Sequence, residues 1–260
     1  MKRKRSIVII IFALALLSAA DVFYEVNFPK VNQIEIKTDK IKVGEEIKVV
    51  QITDLHNKKF FNNQIQIYDK IKEINPDFIV LTGDMIDTDT KNYSYVYSFI
   101  DELIKINSKI YYISGNHELD HKDVDKFNDE IAKRGVIMVD PGFQEYKDID
   151  IYGTKYYNNI PLPRDPSKFS LLLVHDPSFV IDNPDNFNLI LSGHTHGGQV
   201  RIPFVGAVYV PGHGLFPKYS KGLFKIKDGW LYIDSGLGNT FLPIRFLDQS
   251  QISFIKITSK

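Results

Sequence analysis

Val49-Val50-Gln51-Ile52-Thr53-Asp54-Leu55-His56 opens as a short, β-branched apolar run and closes on an acid and an imidazole. Four later stretches repeat the pattern. Residues 78–81 lead into Gly83-Asp84, residues 110–113 into Gly115-Asn116-His117-Glu118, residues 171–174 into His175, and residues 189–191 into Gly193-His194-Thr195-His196. Apolar runs this short suit strands covered on both faces. Between them lie helical stripes: Ile67, Ile71 and Ile74 before Pro76, then Val96, Phe99, Ile100, Leu103 and Ile104, then Val124, Phe127 and Ile131 before Gly135. Spacings of three and four residues place each set on one helix face. Strand–helix–strand alternation predicts an α/β sheet with covering helices. From Phe169 onward the chain is richer in Gly, Pro and strand-like runs. With no low-complexity linker and no internal repeat, one domain with two sheet-forming halves is the simplest reading.

The composition limits the possible functions. The chain has 260 residues, 43% hydrophobic and 25% charged, which excludes disordered and collagen-like classes. Its 32 basic and 32 acidic side chains cancel, leaving no overall field to attract nucleic acid, so none is expected as a partner. The absence of cysteine excludes a thiol nucleophile, a disulfide framework and any thiolate metal site.

The N-terminus carries a different signal. Lys2, Arg3, Lys4 and Arg5 precede an uncharged, mostly aliphatic stretch, residues 7–20. A spanning helix needs about 20 apolar residues and a signal-peptide core about 7–15. Ser18-Ala19-Ala20 offers a cleavage site, whereas Val22, Phe23 and Tyr24 prolong the apolar stretch toward an uncleaved anchor. Both readings leave the four cations in the cytoplasm and the remainder outside. Residues 1–29 are therefore expected to be an export signal or membrane anchor, and residues 30–260 the extracytoplasmic body, membrane-anchored or secreted.

The chemistry is expected at the strand ends, because sites in open α/β sheets form beyond the carboxyl ends of strands. Five of the seven histidines fall in these endings. Asp54 with His56, and His194 with His196, stand two residues apart, so in extended chain each pair would reach one centre. Taken singly, each feature has a plainer reading: a turn or cap for Asp54-Leu55-His56, a turn for Gly83-Asp84, a helix cap for Asn116, a buried histidine for His175. Together they supply two carboxylates, one amide and four imidazoles, with the imidazole of His117 adjacent. Oxygen and nitrogen donors without sulfur suit Mn, Fe, Zn or Co.

In order, Asp54-Leu55-His56, Gly83-Asp84-Met85-Ile86-Asp87, Gly115-Asn116-His117-Glu118, His175 and Gly193-His194-Thr195-His196 resemble the five signature blocks of the calcineurin-like metallophosphoesterase superfamily. Gly197-Gly198-Gln199, Pro211-Gly212-His213-Gly214-Leu215-Phe216 and Pro243-Ile244-Arg245-Phe246 are similar to its exported or membrane-anchored bacterial YkuE/YaeI-like branch. The resemblance extends over nearly all of residues 45–257. It implies a four-layer αββα sandwich and two divalent metal ions. It assigns Asp54, His56, Asp84 and His196 to one ion and Asp84, Asn116, His175 and His194 to the other, with Asp84 bridging. It further implies hydrolysis of phosphodiester or pyrophosphate bonds through a metal-bridging hydroxide, on a phosphorylated small-molecule or lipid-linked substrate of the cell envelope. A sugar-nucleotide-lipid pyrophosphatase is the narrower alternative, and a metal-bound scaffold without turnover the other. His117 is the expected proton donor to the leaving oxygen.

Asp87, Gln199 and Arg245 are candidates for orienting ligands or touching substrate. Arg201, Lys218 and Arg245 read as surface charge, with the holding of a second phosphate as the alternative. Glu118 reads as structural, His121 as solvated, and Asp176 and His213 carry no assigned role. Phe204, Tyr209, Phe216, Tyr219 and Phe241 are expected to pack the second sheet, with the lining of an apolar or sugar-bearing substrate as the alternative.

Overall fold

In a computed structural model of the chain, which describes all residues except 1, 62–63, 155–159, 182–186 and 241, the apolar runs become the centre of two facing sheets. The first sheet contains β1 (Lys30–Thr38), β2 (Glu46–Ile52), β3 (Phe78–Thr82), β4 (Ile110–Ile113), β5 (Ile137–Met138) and the last strand of the chain, in the order β1, last strand, β2, β3, β4, β5. The second is built from β6 (Gly142–Tyr146), β7 (Ile149–Gly153), β8 (Phe169–Leu173), β9 (Leu189–Ser192), and, beyond two small hairpins, β14 (Gly222–Ile226) and β15 (Gly229–Ile233). Its order is β14, β15, β9, β8, β7, β6. The hairpins pair β10 (Arg201–Ile202) with β11 (Gly206–Ala207) and β12 (Tyr209–Val210) with β13 (Gly214–Leu215). The last strand is β16 (Gln251–Ser259). The helices are α1 (Lys2–Asn27), α2 (Ile65–Ile74), α3 (Ser94–Ile106), α4 (Asn116–Leu119), α5 (Val124–Lys133) and α6 (Ser178–Ile181).

Side-chain alternation along the strands makes three apolar layers. Val50, Ile52, Ile79, Leu81, Ile110 and Tyr112 face α2, α3 and α5, meeting Ile67, Ile71, Phe99, Ile100, Phe127 and Ile131. Val49, Phe78, Val80, Tyr111 and Ile113 point the other way, into a core shared with Phe169, Leu171, Leu173, Leu189 and Leu191 of the second sheet. Leu172, Ile190, Leu231 and Ile233 turn outward beneath the single turn α6 and the neighbouring loops. This is the αββα sandwich, with a thin fourth layer among the described residues. The period of two explains why runs with no polar face are strands: each strand is covered twice.

A polar stitch joins the sheets just below the site. Gln51 Nε2 donates to Thr82 Oγ1 and to Ser192 O, both at 2.9 Å, tying β2 and β3 of one sheet to β9 of the other. Strand β16 was not among the expected strands. It runs parallel to β1 and antiparallel to β2, so a segment from the far end of the chain lies beside the strand that leads to Asp54.

Because Ile255 lies at the inter-sheet core and is fully buried, Ile255→Ala is expected to cost about 2–5 kcal/mol through lost burial and a residual cavity. Urea unfolding of the full chain in detergent should show a lower midpoint with unchanged slope. A change below about 1 kcal/mol, within the range of a surface substitution, would mean that the sheets do not pack closely there.

Candidate metal centre

The strand endings converge on one crevice. β2 delivers Asp54 and His56, β3 delivers Asp84, β4 leads into Asn116 and His117 on α4, β8 into His175, and β9 into His194 and His196. The mode of convergence differs from the extended pairs expected from the sequence. Asp54, His56, Asp84, His194 and His196 have φ values of 52, 51, 53, 72 and 49°, in the left-handed region. Each such residue costs roughly 1–2 kcal/mol relative to ordinary backbone, and side chains paired two apart converge here by left-handed turns. Two glycines make the closeness possible. A Cβ on Gly115 would lie 2.1 Å from Asp84 Oδ1, and one on Gly193 would lie 2.4 Å from Asp54 Oδ2.

Two constellations result, and they share a residue. In the first, His56 Nε2 and His196 Nε2 stand 3.0 Å apart, with His196 Nε2 3.3 Å from Asp54 Oδ1. In the second, His175 Nε2 lies 3.1 Å from Asn116 Oδ1, and His194 Nδ1 lies 2.9 Å from the same oxygen and 3.3 Å from His175 Nε2. Asp84 Oδ2 sits between them, 3.0 Å from His175 Nε2 and 3.7 Å from His56 Nε2. Donor atoms about 2.0–2.2 Å from one ion stand about 3.0–3.5 Å from each other. The spacings therefore fit divalent cations better than direct hydrogen bonds, since two imidazole nitrogens gain little from facing each other. All seven nominated ligand residues are brought together.

The surrounding groups set ring orientation. Asp87 Oδ1 is 2.6 Å from His56 Nδ1, and Thr82 O is 2.8 Å from His175 Nδ1. A proton on each Nδ1 leaves the Nε2 lone pair turned inward, as a metal-binding imidazole requires. Asp176 Oδ2 lies 3.6 Å from His194 Nε2, on the opposite edge of that ring, and Asp176 Oδ1 lies 3.7 Å from His213 Nε2.

Glu118 is the structural core of the crevice. Its carboxylate accepts the N–H groups of Asp84 (2.8 Å), Met85 (2.6 Å), Ile86 (3.1 Å) and Gly115 (2.7 Å), locking the β3 and β4 endings together. Burial and the charge of Asp84 push its pKa up to about 7, against the pull of those N–H donors.

The remaining charges are polarised. Burial raises Asp54. Asp84 is also buried, yet the neighbouring His175 holds it below the ordinary carboxylate value. Burial opposes a charge on His175, but Asp84 and Asp54 carry it up to about 10. Burial and His175 push His194 down to about 4, and burial and His56 hold His196 well below its usual value. Burial likewise opposes a charge on His56, which is nevertheless raised through its bond to Asp87.

His117 lies at the edge of the set and is half-buried. Its ring packs edge-on against His56 at 4.7 Å, is 31% exposed, and faces Thr88 N and Oγ1 at 3.3 Å through Nδ1. Its backbone N–H donates to Asp84 Oδ1 at 2.9 Å, and a ring nitrogen lies within 4.8 Å of ligand atoms of both His56 and Asp84, so these three residues also have the spacing of a cation site.

Several sequence expectations need correction. Arg245 is fully buried rather than a surface charge, and it donates to Ser235 O, Gly238 O and Asp248. With its guanidinium committed to those acceptors it braces the loop behind Asp54 and does not face a substrate. Gln199 commits its amide to Leu242 O, Ile244 O and the Thr240 N–H, linking loops, and it lines the cleft that reaches His196. Arg201 donates to Gly197 O. His121 is buried against Thr90 O at 2.8 Å and Tyr93, not solvated. Tyr219 packs against Phe224 of the second sheet as expected, but Phe204, Tyr209 and Phe216 are exposed. Phe241 lies outside the described residues.

With this geometry in place, comparison with known proteins is informative. Residues 47–198 match the model of the family described as calcineurin-like phosphoesterase. The chain is 30% identical to the uncharacterized metallophosphoesterase YkuE of Bacillus subtilis, over 91% of this chain and 88% of that one. An uncharacterized metallophosphoesterase of Helicobacter pylori is 29% identical over 92% of this chain and 66% of its own length. YkoQ of Bacillus subtilis, also an uncharacterized metallophosphoesterase, is 27% identical over 95% and 99%. The matched segment begins inside β2 and ends just past His196, so it contains every strand ending that contributes to the crevice. The chain belongs to the calcineurin-like metallophosphoesterases and is a phosphoric ester hydrolase.

Proposed function

We propose that the protein is a dinuclear, metal-dependent hydrolase of phosphodiester or pyrophosphate bonds in an envelope or lipid-linked molecule. One observation carries the reading: a single carboxylate oxygen, Asp84 Oδ2, is shared by two donor sets, each spaced for one cation. Asp54, His56, Asp84 and His196 would hold one divalent ion, and Asp84, Asn116, His175 and His194 the other. Mn, Fe, Zn and Co all suit these donors. Ions held there supply Lewis acidity to phosphoryl oxygens and to water.

The chain's own residues do the remainder. Asp87 and Thr82 O keep His56 and His175 in the tautomer that turns Nε2 inward. Glu118 keeps the two central endings from spreading when anionic substrate arrives. His117, half-buried at the crevice mouth and outside the two assigned ligand sets, donates the proton to the departing oxygen. A scaffold role is the least supported alternative, because the whole set of nominated ligands and His117 converge. A sugar-nucleotide-lipid pyrophosphatase remains the narrower version of the same reading. The apolar helix α1 supports attachment to a membrane, with the body outside the cytoplasm.

Metal holding and proton delivery are separable. Asp84→Asn is expected to lose at least one metal per chain, measured by elemental analysis. His117→Ala is expected to keep both while slowing turnover about 10²–10⁴-fold on substrates with poor leaving groups, and less with p-nitrophenolate. Loss of metal from His117→Ala equal to that of Asp84→Asn would make His117 a ligand. In the wild type, chelation should abolish activity and Mn²⁺ restore it, with bis-p-nitrophenyl phosphate cleaved faster than the monoester. A clear monoester preference at saturating metal would refute the diesterase assignment.

A further inference from the structure

The last turn of α1 is built into the body rather than joined to it by a tether. Glu25 Oε2 accepts the Asp248 N–H at 3.0 Å, and Glu25 O accepts the Ser250 N–H at 2.9 Å. Lys58, two residues beyond His56, donates to Val26 O at 2.7 Å and also to Leu237 O, Asn239 Oδ1 and Ser250 Oγ. Gln249 Nε2 donates to Phe28 O at 2.6 Å, and the Phe23 ring meets Phe61 at 5.9 Å. The apolar part of this helix, Lys4–Asn27, has 24 residues. At 1.5 Å per residue it measures about 36 Å, against a hydrocarbon layer of about 30 Å. A bilayer spanned by this helix therefore ends near its pinned final turns.

Those turns adjoin a band of uncovered apolar side chains. Leu242, Ile244, Phe246 and Leu247 are exposed in the segment that runs directly into Asp248. With consecutive Cα atoms 3.8 Å apart, Ile244 lies within about 15 Å of the pinned residue. Arg201 N–H donates to Phe246 O at 3.0 Å, bringing the β10–β11 hairpin alongside, with Phe204 at its tip fully exposed. Leu215 and Phe216 extend the band on the next hairpin. Contiguous apolar surface of this kind marks a contact with membrane or protein, and its junction with the anchor selects the membrane. An apolar cleft of about 390 Å3 opens in this band, between Tyr209, Pro211, Leu242 and Ile244, and reaches His196 at its inner end.

We propose that the rim formed by residues 202–216 and 242–247 seats in the bilayer that α1 spans, and that the cleft beside His196 admits the hydrocarbon portion of an amphiphilic phosphoester directly from the lipid. The substrate half rests on the phosphodiesterase reading above; the seating half does not. The absence of native cysteine allows single probes to be placed cleanly. In phosphatidylcholine vesicles containing the full chain, bimane attached to Phe204→Cys, Leu215→Cys or Leu242→Cys should be quenched by doxyl-labelled lipid and shielded from iodide. The same probe on Val43→Cys, at a 91% exposed position, should respond only to iodide. Rim probes that respond to iodide like Val43→Cys would overturn the seating, as would shielding from both quenchers, which would signify a protein contact.

For the cleft, hydrolysis of hexadecyl p-nitrophenyl phosphate in vesicles is compared with that of soluble bis-p-nitrophenyl phosphate. Ile244→Asn should lower the ratio of the two rates about tenfold, as expected from weakened burial of about two methylenes. Equal loss on both substrates would overturn the cleft assignment. If the wild type cleaves neither, the phosphodiesterase reading fails, while the quenching result still decides the seating.

Discussion

Two carboxylates, Asp54 and Asp84, are buried at the meeting point of the strands, and among the described residues only histidines approach them within ion-pair distance. Taking such groups out of water is expensive unless positive charge or hydrogen bonds compensate. The protein compensates in part with backbone donors such as His194 N–H and His117 N–H. Divalent cations would complete the compensation. Much of the architecture follows from keeping these groups close. Five of the nominated ligands adopt left-handed backbone, glycines stand where a Cβ would strike a carboxylate, and Glu118 gathers four N–H groups to hold the loops that carry Asp84 and Asn116.

Such strain is affordable because the scaffold beneath is rigid. β2, β3 and β4 are each covered on one face by helices and on the other by the second sheet. Gln51 clamps the sheets to each other immediately under the site. Local conformations that cost energy persist where the surroundings over-determine them, and the crevice sits above strands buried on both faces. His117 and the apolar cleft, by contrast, lie at the margin, where side chains remain accessible.

The attachment of α1 follows the same logic. Lys58 belongs to the loop that follows His56, and its ammonium group gathers oxygens from α1, from the segment around Leu237 and from Ser250. Arg245 ties that same segment from beneath through Ser235 O and Gly238 O. The helix and the backing of Asp54 are thereby one connected unit, which fixes the position of the crevice relative to α1.

The class of fold, and which residues would gather at the strand endings, were legible in local sequence. Runs without a polar face declare strands covered twice, helical stripes declare the layer that covers them, and oxygen and nitrogen donors at strand ends declare a common destination. These are local signals, set by side-chain period and residue chemistry. What the tertiary structure alone decided lies in long-range pairing and burial. β16 enters between β1 and β2 from some two hundred residues away in the chain, and no local pattern records a partner at that distance. The backbone at Asp54 and His56 is left-handed rather than extended because the loops must fit beneath a neighbouring strand's ending, a demand invisible within the Asp54-Leu55-His56 block. Arg245 and His121 are buried, and Phe204 exposed, against the ordinary preferences of their types. A residue's surroundings are fixed by which distant segments pack against it, and only the folded chain brings those segments together.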